Sequence, residues 1–441
     1  MTLRPRLLLD RLRASLWVVP LGLVLGMILL CELLLALDAR YPIELRLMSG
    51  AGIAGARDML QAVASSMITV AGLVFSLTLA VLSQASAQYS SRVLRAFLRD
   101  RVNQTVLGVF LGIYAYCLVA LRGLGVDDSA MPTLTVIGGL LAAFVGIVYL
   151  IYFIHHIAAS LQVENILAAI EADTRPVLQR LYPDDCEPAA EPEVMPTRPD
   201  DAIAIPAPCS GYLTDANFTA LTDIATTLDG VVYVPHRVGD FVPAGYPLAW
   251  LAHTTRPDDT VLAQLRDAFS QGPQRSLQQD ASFGIRQLVD VALKALSPGV
   301  NDTTNAIMVL DRLHSLLSVV VARPFPSALR HVEGELRLVG TRPDFESLLG
   351  LALDQIRQWG ANNPAVLAHM LRILGELLLR ACSAERAALL QQYARRVLET
   401  AERDVPEKQD QKWIRQHASI ALGDTNSVSS SAHRARPTRT P

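Results

Sequence analysis

The sequence predicts a mainly α-helical membrane protein: four transmembrane helices, then a cytoplasmic region holding a small β module and a helical domain. Three observations carry this. Of 441 residues, 51% are hydrophobic and only 18% charged, against roughly 25% charged in an ordinary soluble domain. Mean hydropathy is +0.29. Four apolar stretches before residue 156 are long enough for a bilayer, which takes about 20 helical residues. A net charge of −3 gives no basic field for nucleic acid. Five scattered cysteines, with no CxxC pair, exclude a disulfide scaffold and a thiolate zinc centre.

The spans read Leu16–Leu37, Met59–Leu82, Val106–Leu121 and Met131–Phe153, the third being short and reaching spanning length if it starts near Val102. The first is longer than the apolar core of a signal peptide, about 7–15 residues, and reads as a retained helix. Arg4, Arg6, Arg11 and Arg13 precede it, and Arg92, Arg95, Arg99 and Arg101 lie between the second and third spans. The other side has Arg40, Arg46 and Arg57 in one loop and Arg122 in the other. That excess places both termini in the cytoplasm of a bacterial inner-membrane protein. Glu32, the carboxylate inside the first span, reads either as a snorkelling side chain or as a gating or ion contact. The Gly22/Gly26 and Gly108/Gly112 steps fit close helix contacts.

The second span is the most informative. Ser65, Thr69, Gly72, Ser76, Ala80 and Ser83 recur by threes and fours along one helical stripe, with Val63, Met67, Val70, Val74 and Val81 opposite and Thr78 an exception among them. A lipid-facing helix gains nothing from such a row, so the stripe should meet protein or water. It is either a helix-packing face or the lining of a path on the axis of a homo-oligomer. Beyond it, Arg92, Arg95, Arg99 and Arg101 oppose Val93, Leu94, Phe97 and Leu98, which suits a helix at the anionic leaflet or an ordinary basic loop.

The organisation reads as a transmembrane domain over 1–156, and a stalk helix with a Pro- and acid-rich linker over 157–208. A β module at 209–256, a helical domain at 257–422 and a disordered tail at 423–441 follow. The stalk helix is expected to continue from the fourth span until Pro176. In SPGVNDTT, Asn301 or Asp302 can cap the next helix, or Asp302, Thr303 and Thr304 can form a ligand site at its start. RVGDFVPAGYPLAWL is similar to half of a biotinyl- or lipoyl-type barrel module. Residues 209–251 lack the lysine such carriers present, so the similarity implies a β module and no swinging arm.

The run from Ser65 to Arg122, with ALSPGVNDTTNAIMVLDRL and RPDFESLLGLALDQIRQWG, resembles a bacterial family of predicted membrane proteins, domain of unknown function twenty-two fifty-four. The resemblance covers nearly the whole chain and implies an integral membrane protein with a cytoplasmic domain, with no catalytic residue to carry over. GxSxG, HExxH and Walker motifs are absent, so no enzyme, cofactor or metal is expected. The expected partners are the lipid bilayer and further copies of the chain. The expected function is a homo-oligomeric channel lined by the second span; the alternative is a membrane-anchored sensor or scaffold.

Overall fold

A computed structural model describes residues 17–41, 52–88, 101–124, 132–160, 162–184, 195–253, 257–419 and 421–422. Arg92, Arg95 and Arg99, Arg4 to Arg13, Arg46 and the 423–441 tail lie outside the described residues. The chain divides into two compact units, Met1–Ile166 and Leu167–Pro441.

Among the described residues the first unit has four helices: α1 (Val18–Arg40), α2 (Gly52–Gln88), α3 (Arg101–Gly123) and α4 (Thr133–Ser160). Each is long and apolar enough to cross a membrane. Helix α3 packs against the other three, and half of its apolar window is buried. Its small residues make that possible. A Cβ on Gly108 would lie 2.8 Å from the backbone Cα of Pro20, and one on Gly112 would lie 2.9 Å from Met27 Cγ. These close approaches fix α1 and α3 in register. Gly22 and Gly26 do not share in them, because a Cβ there would meet open space within the chain. Phe110, Ile113 and Tyr116 of α3 form the core with Leu60, Met67 and Val74 of α2.

Helix α4 ends at Ser160, earlier than Pro176, and α5 (Val163–Leu181) begins after a break where Asn165 Nδ2 donates to the Ala159 carbonyl. Pro176 sits inside α5 on its exposed side.

The second unit opens with α5 and then alternates strands and helices. The strands are β1 (Ile203–Pro206), β2 (Gly211–Ala216), β3 (Val231–Tyr233), β4 (Phe241–Val242), β5 (Pro247–Ala252), β6 (Phe269–Gly272), β7 (Leu329–Val332) and β8 (Glu335–Val339). One sheet runs β1-β5-β3-β8-β7 and a smaller one β4-β2-β6. The sheets therefore draw in strands outside 209–256: β1 from the expected linker, and β6, β7 and β8 from the expected helical stretch. Helices α6 (Phe218–Thr227) and α7 (Asp259–Asp267) cover the β core of Leu213, Leu221, Val232, Leu251 and Leu265. At the expected turn Val238-Gly239-Asp240, Gly239 takes φ +105°, and Asp240 Oδ2 accepts from the Arg237 N–H at 2.8 Å.

The remaining helices are α8 (Ala281–Ala295), α9 (Thr303–Val321), α10 (Phe345–Trp359), α11 (Pro364–Leu378), α12 (Ala384–Asp404) and α13 (Lys408–His417). Most starts carry the residue type that the exposed first N–H groups of a helix demand. Asp258, Asp280, Asp302, Asp344, Asn363 and Ser383 each accept from a backbone N–H three residues on. Helix α9 is a fifth helix long and apolar enough to span. Its Val309, Leu310, Leu313, Leu316 and Leu317 are buried in this unit, while Asp311 and Arg312 pair with His369 and Glu171. Buried Arg386 of α12 donates to the Val320 and Val321 carbonyls at the end of α9, at 3.0 and 3.2 Å.

Gly108→Leu is expected to lower the thermal unfolding midpoint in mild detergent, by an overpacking cost of about 1–3 kcal/mol, because the Pro20 backbone cannot rotate away. Gly22→Leu should leave the midpoint of the isolated protomer near that of the wild type.

Candidate functional site

The stripe on α2 is positioned by what lies behind it. At about 100° per residue, Ala56, Leu60, Ala64, Met67, Ala71, Val74 and Val81 form the side buried against α3 and α4. Ser65, Thr69, Gly72, Ser76, Ala80 and Ser83 fall on the diametrically opposite side, and all six are exposed in the single chain. The protomer does not cover them. Some of the local hydroxyls turn back on their own helix: Thr69 Oγ1 donates to the Ser65 carbonyl at 2.7 Å and Ser66 Oγ to the Ala62 carbonyl at 2.8 Å. From Ser65 to Ser83 the stripe rises about 27 Å at 1.5 Å per residue, close to the hydrocarbon thickness of about 30 Å.

Glu32 meets Arg122, whose guanidinium donates to Oε1 at 2.5 Å; the pair is exposed at the C-terminal ends of α1 and α3. A carboxylate that the sequence reading passed over lies nearby. Asp38, 8% exposed, accepts from the Leu134 N–H at 3.0 Å, from the Thr135 N–H at 2.9 Å and from Thr135 Oγ1 at 2.8 Å. It caps α4 from the end of α1, and Tyr116 Oη of α3 closes the set by donating to the Thr135 carbonyl at 2.7 Å. The signal for it was a carboxylate at the edge of one span and a threonine pair at the start of another. Arg101 is exposed at the start of α3.

In the second unit, Asp302 caps α9: its Oδ1 accepts from the Asn305 N–H at 3.0 Å and its Oδ2 from Asn305 Nδ2 at 2.7 Å. Thr303 Oγ1 accepts from Asn363 Nδ2 at 2.7 Å, and Thr304 is exposed. The three residues therefore sit together at one helix start, two of them already engaged by amides.

The sequence reading also missed a polar cleft of about 480 Å³ between α5, α9 and the turn that follows α11, lined by Arg175, Asp184, His314, Ser315, Arg323 and Arg380. Glu171 holds one wall. Its Oε1 accepts from Arg175 at 2.5 Å and from Ser315 Oγ at 2.6 Å, and its Oε2 from Arg312 at 3.0 Å. Desolvation alone would raise the Glu171 pKa; the hydrogen bonds from Ser315, Arg175 and Arg312 outweigh it and hold the carboxyl below its usual value. Arg323 is pinned by Asp184 at 2.7 Å and by the Tyr182 carbonyl at 2.9 Å. Desolvation moves the His314 pKa down, against the pull of Glu376. Arg380, exposed at the rim, has no ion pair among the described residues.

Comparison with known proteins adds kinship to this geometry. The family described as predicted membrane protein (DUF2254) matches residues 13–376. Two relatives, uncharacterized proteins Mb1321c of Mycobacterium bovis and Rv1290c of Mycobacterium tuberculosis, are each 34% identical over 425 residues, covering 93% of this chain and 81% of the relative. No solved structure matches.

A folded-state carboxyl pKa below the unfolded value stabilises the fold above that unfolded value, about 4.3, and loses the effect as pH falls through the lower folded value. Glu171→Gln is therefore expected to lower the unfolding midpoint at neutral pH and to flatten its fall as pH drops below the unfolded value, measured by circular dichroism.

Proposed function

The chain belongs to the family of predicted membrane proteins DUF2254, and on that premise we propose that it is a non-enzymatic, homo-oligomeric channel of the bacterial inner membrane. Four helices, α1 to α4, span the bilayer, with both termini cytoplasmic, and α2 lines the path. The observation that carries this reading is the outward stripe Ser65, Thr69, Gly72, Ser76, Ala80 and Ser83. It sits on the side of α2 opposite the buried face and runs nearly the full hydrocarbon thickness. Hydrocarbon does not reward a row of hydroxyls and missing side chains, whereas a second helix or a column of water does. A Cβ on Gly22 or Gly26 of α1 would likewise meet no neighbour among the described residues. A ring of copies would cover these faces and leave the hydroxyls on its axis.

The second reading, a membrane-anchored sensor, is favoured by the cleft of Arg175, Arg323 and Arg380. Glu171 and Asp184 hold two of these guanidiniums in place, and Arg380 is left to meet an anion. Such a site would take a phosphate-bearing ligand.

With Cys186, Cys209 and Cys382 replaced by Ser, single cysteines at Ser65, Ser76 and Ser83 should all react with a charged thiol reagent in vesicles, and the reaction should change the conductance. Oligomers should persist in mild detergent. A strict monomer labelled only near the helix ends would sink the channel reading. For the sensor reading, millimolar phosphate should raise the unfolding midpoint of the wild type, and Arg380→Ala should abolish that rise; equal rises would remove its support.

A further inference from the structure

A cavity of about 270 Å³ opens among the four helices of the first unit, at the end where α1 and α3 begin and α2 and α4 finish. Its walls are apolar, with Leu21 and Val24 of α1, Phe75 and Leu79 of α2, and Leu107 and Leu111 of α3. Two carboxamides also line it: Asn103 and Gln104, 8% and 2% exposed. Asn103 Oδ1 and Gln104 Nε2 are buried there with no hydrogen-bond partner among the described residues. An unmatched acceptor beside an unmatched donor in an apolar setting costs free energy, and this pair calls for an occupant that carries both complements.

We propose that this cavity binds a bilayer phospholipid with an anionic, hydroxyl-bearing headgroup, of the phosphatidylglycerol type. One acyl chain lies between the aliphatic walls. Gln104 Nε2 donates to an ester carbonyl, and a headgroup hydroxyl donates to Asn103 Oδ1. The exposed guanidinium of Arg101, at the first residue of α3, faces the phosphate. Depth supports the assignment. Trp17 stands at the cavity beside the start of α1, and tryptophan favours the level of the headgroups. The volume, below about 300 Å³, suits one chain better than a bulky fused-ring body. A purely hydrocarbon occupant would leave both carboxamides unmatched, and water would gain nothing from the aliphatic walls. The site needs only that the first unit lies in a bilayer; it takes no residue from the stripe, so it stands whether or not α2 lines a pore.

The test is native mass spectrometry of the full chain after exchange with equimolar phosphatidylglycerol and phosphatidylcholine. Wild type should retain the anionic lipid several-fold over the zwitterionic one. Gln104→Leu and Asn103→Leu should each weaken retention roughly tenfold, and Arg101→Gln should erase the preference while leaving some binding. Val24→Phe, which fills the cavity, should exclude both lipids. Unfolding midpoints separate lipid loss from misfolding, because a leucine removes a buried unmatched polar group and should leave the delipidated fold at least as stable. Retention unchanged by both leucine variants would overturn the proposal. Equal retention of the two lipids by the wild type would also overturn it.

Discussion

Everything in the first unit follows from α3 being packed on several sides at once. A helix surrounded in this way needs small residues where backbones approach, and Gly108 and Gly112 supply them against Pro20 and Met27. Its larger side chains, Phe110, Ile113 and Tyr116, fill the space on the sides where α2 and α4 stand. Once α3 takes that central place, each outer helix has one face turned inward and one turned away from the bundle. Helices α1 and α4 turn leucine, isoleucine and phenylalanine outward: Leu25, Leu29 and Leu33, then Phe144, Val148 and Ile151. That is what hydrocarbon accepts. Helix α2 breaks the pattern, because a strip of its outer surface carries glycine, alanine and hydroxyls.

The polar ties obey the same constraint. A helix start in an apolar medium has unpaired N–H groups that no water can satisfy. Asp38 resolves this at α4 by reaching across from α1, so one carboxylate links two helices and ends one of them. At the opposite end of the bundle, Asn103 and Gln104 are buried without complete partners among the described residues. One end is closed by protein groups; the other is left with unmet hydrogen-bonding capacity beside an apolar cavity.

The long apolar helices were legible because hydropathy accumulates over about 20 residues, so a single exception such as Glu32 cannot erase the signal. Helix caps were legible for a different reason: Asp302 satisfies a local geometric need that its own side chain can meet. What stayed hidden was non-local. The strand Ile203–Pro206 sits in a stretch whose prolines and acids read as linker, and only its pairing with Pro247–Ala252 makes it a strand. Phe269–Gly272 likewise depends on Gly211–Ala216. The hairpin of β7 and β8 did carry a local mark: Glu333 and Gly334 have φ of +53° and +86°, the positive values that a two-residue hairpin turn demands. Pro176 misled in the other direction. The carbonyl it releases belongs to Ala172, on the exposed side of α5, where water can take the lost bond's place and the helix continues.

Hydroxyls alone would not force the stripe on α2 to be covered. Thr69 already donates to its own helix, which removes most of its penalty for facing lipid. The stronger argument is the missing bulk. Glycine weakens a helix interior by roughly 0.5–1 kcal/mol relative to alanine, and at Gly72 no neighbour among the described residues comes close enough to need it. Gly108 shows what such a residue does when it is needed: it lets another backbone approach to contact. A protomer that uses glycine in that way on α3, and presents another on the outward side of α2, carries the surface of a helix still to be met. The alternation of hydroxyls with tiny side chains along one straight line then serves two ends. It allows close approach between copies, and it leaves polar atoms along any space that remains between them.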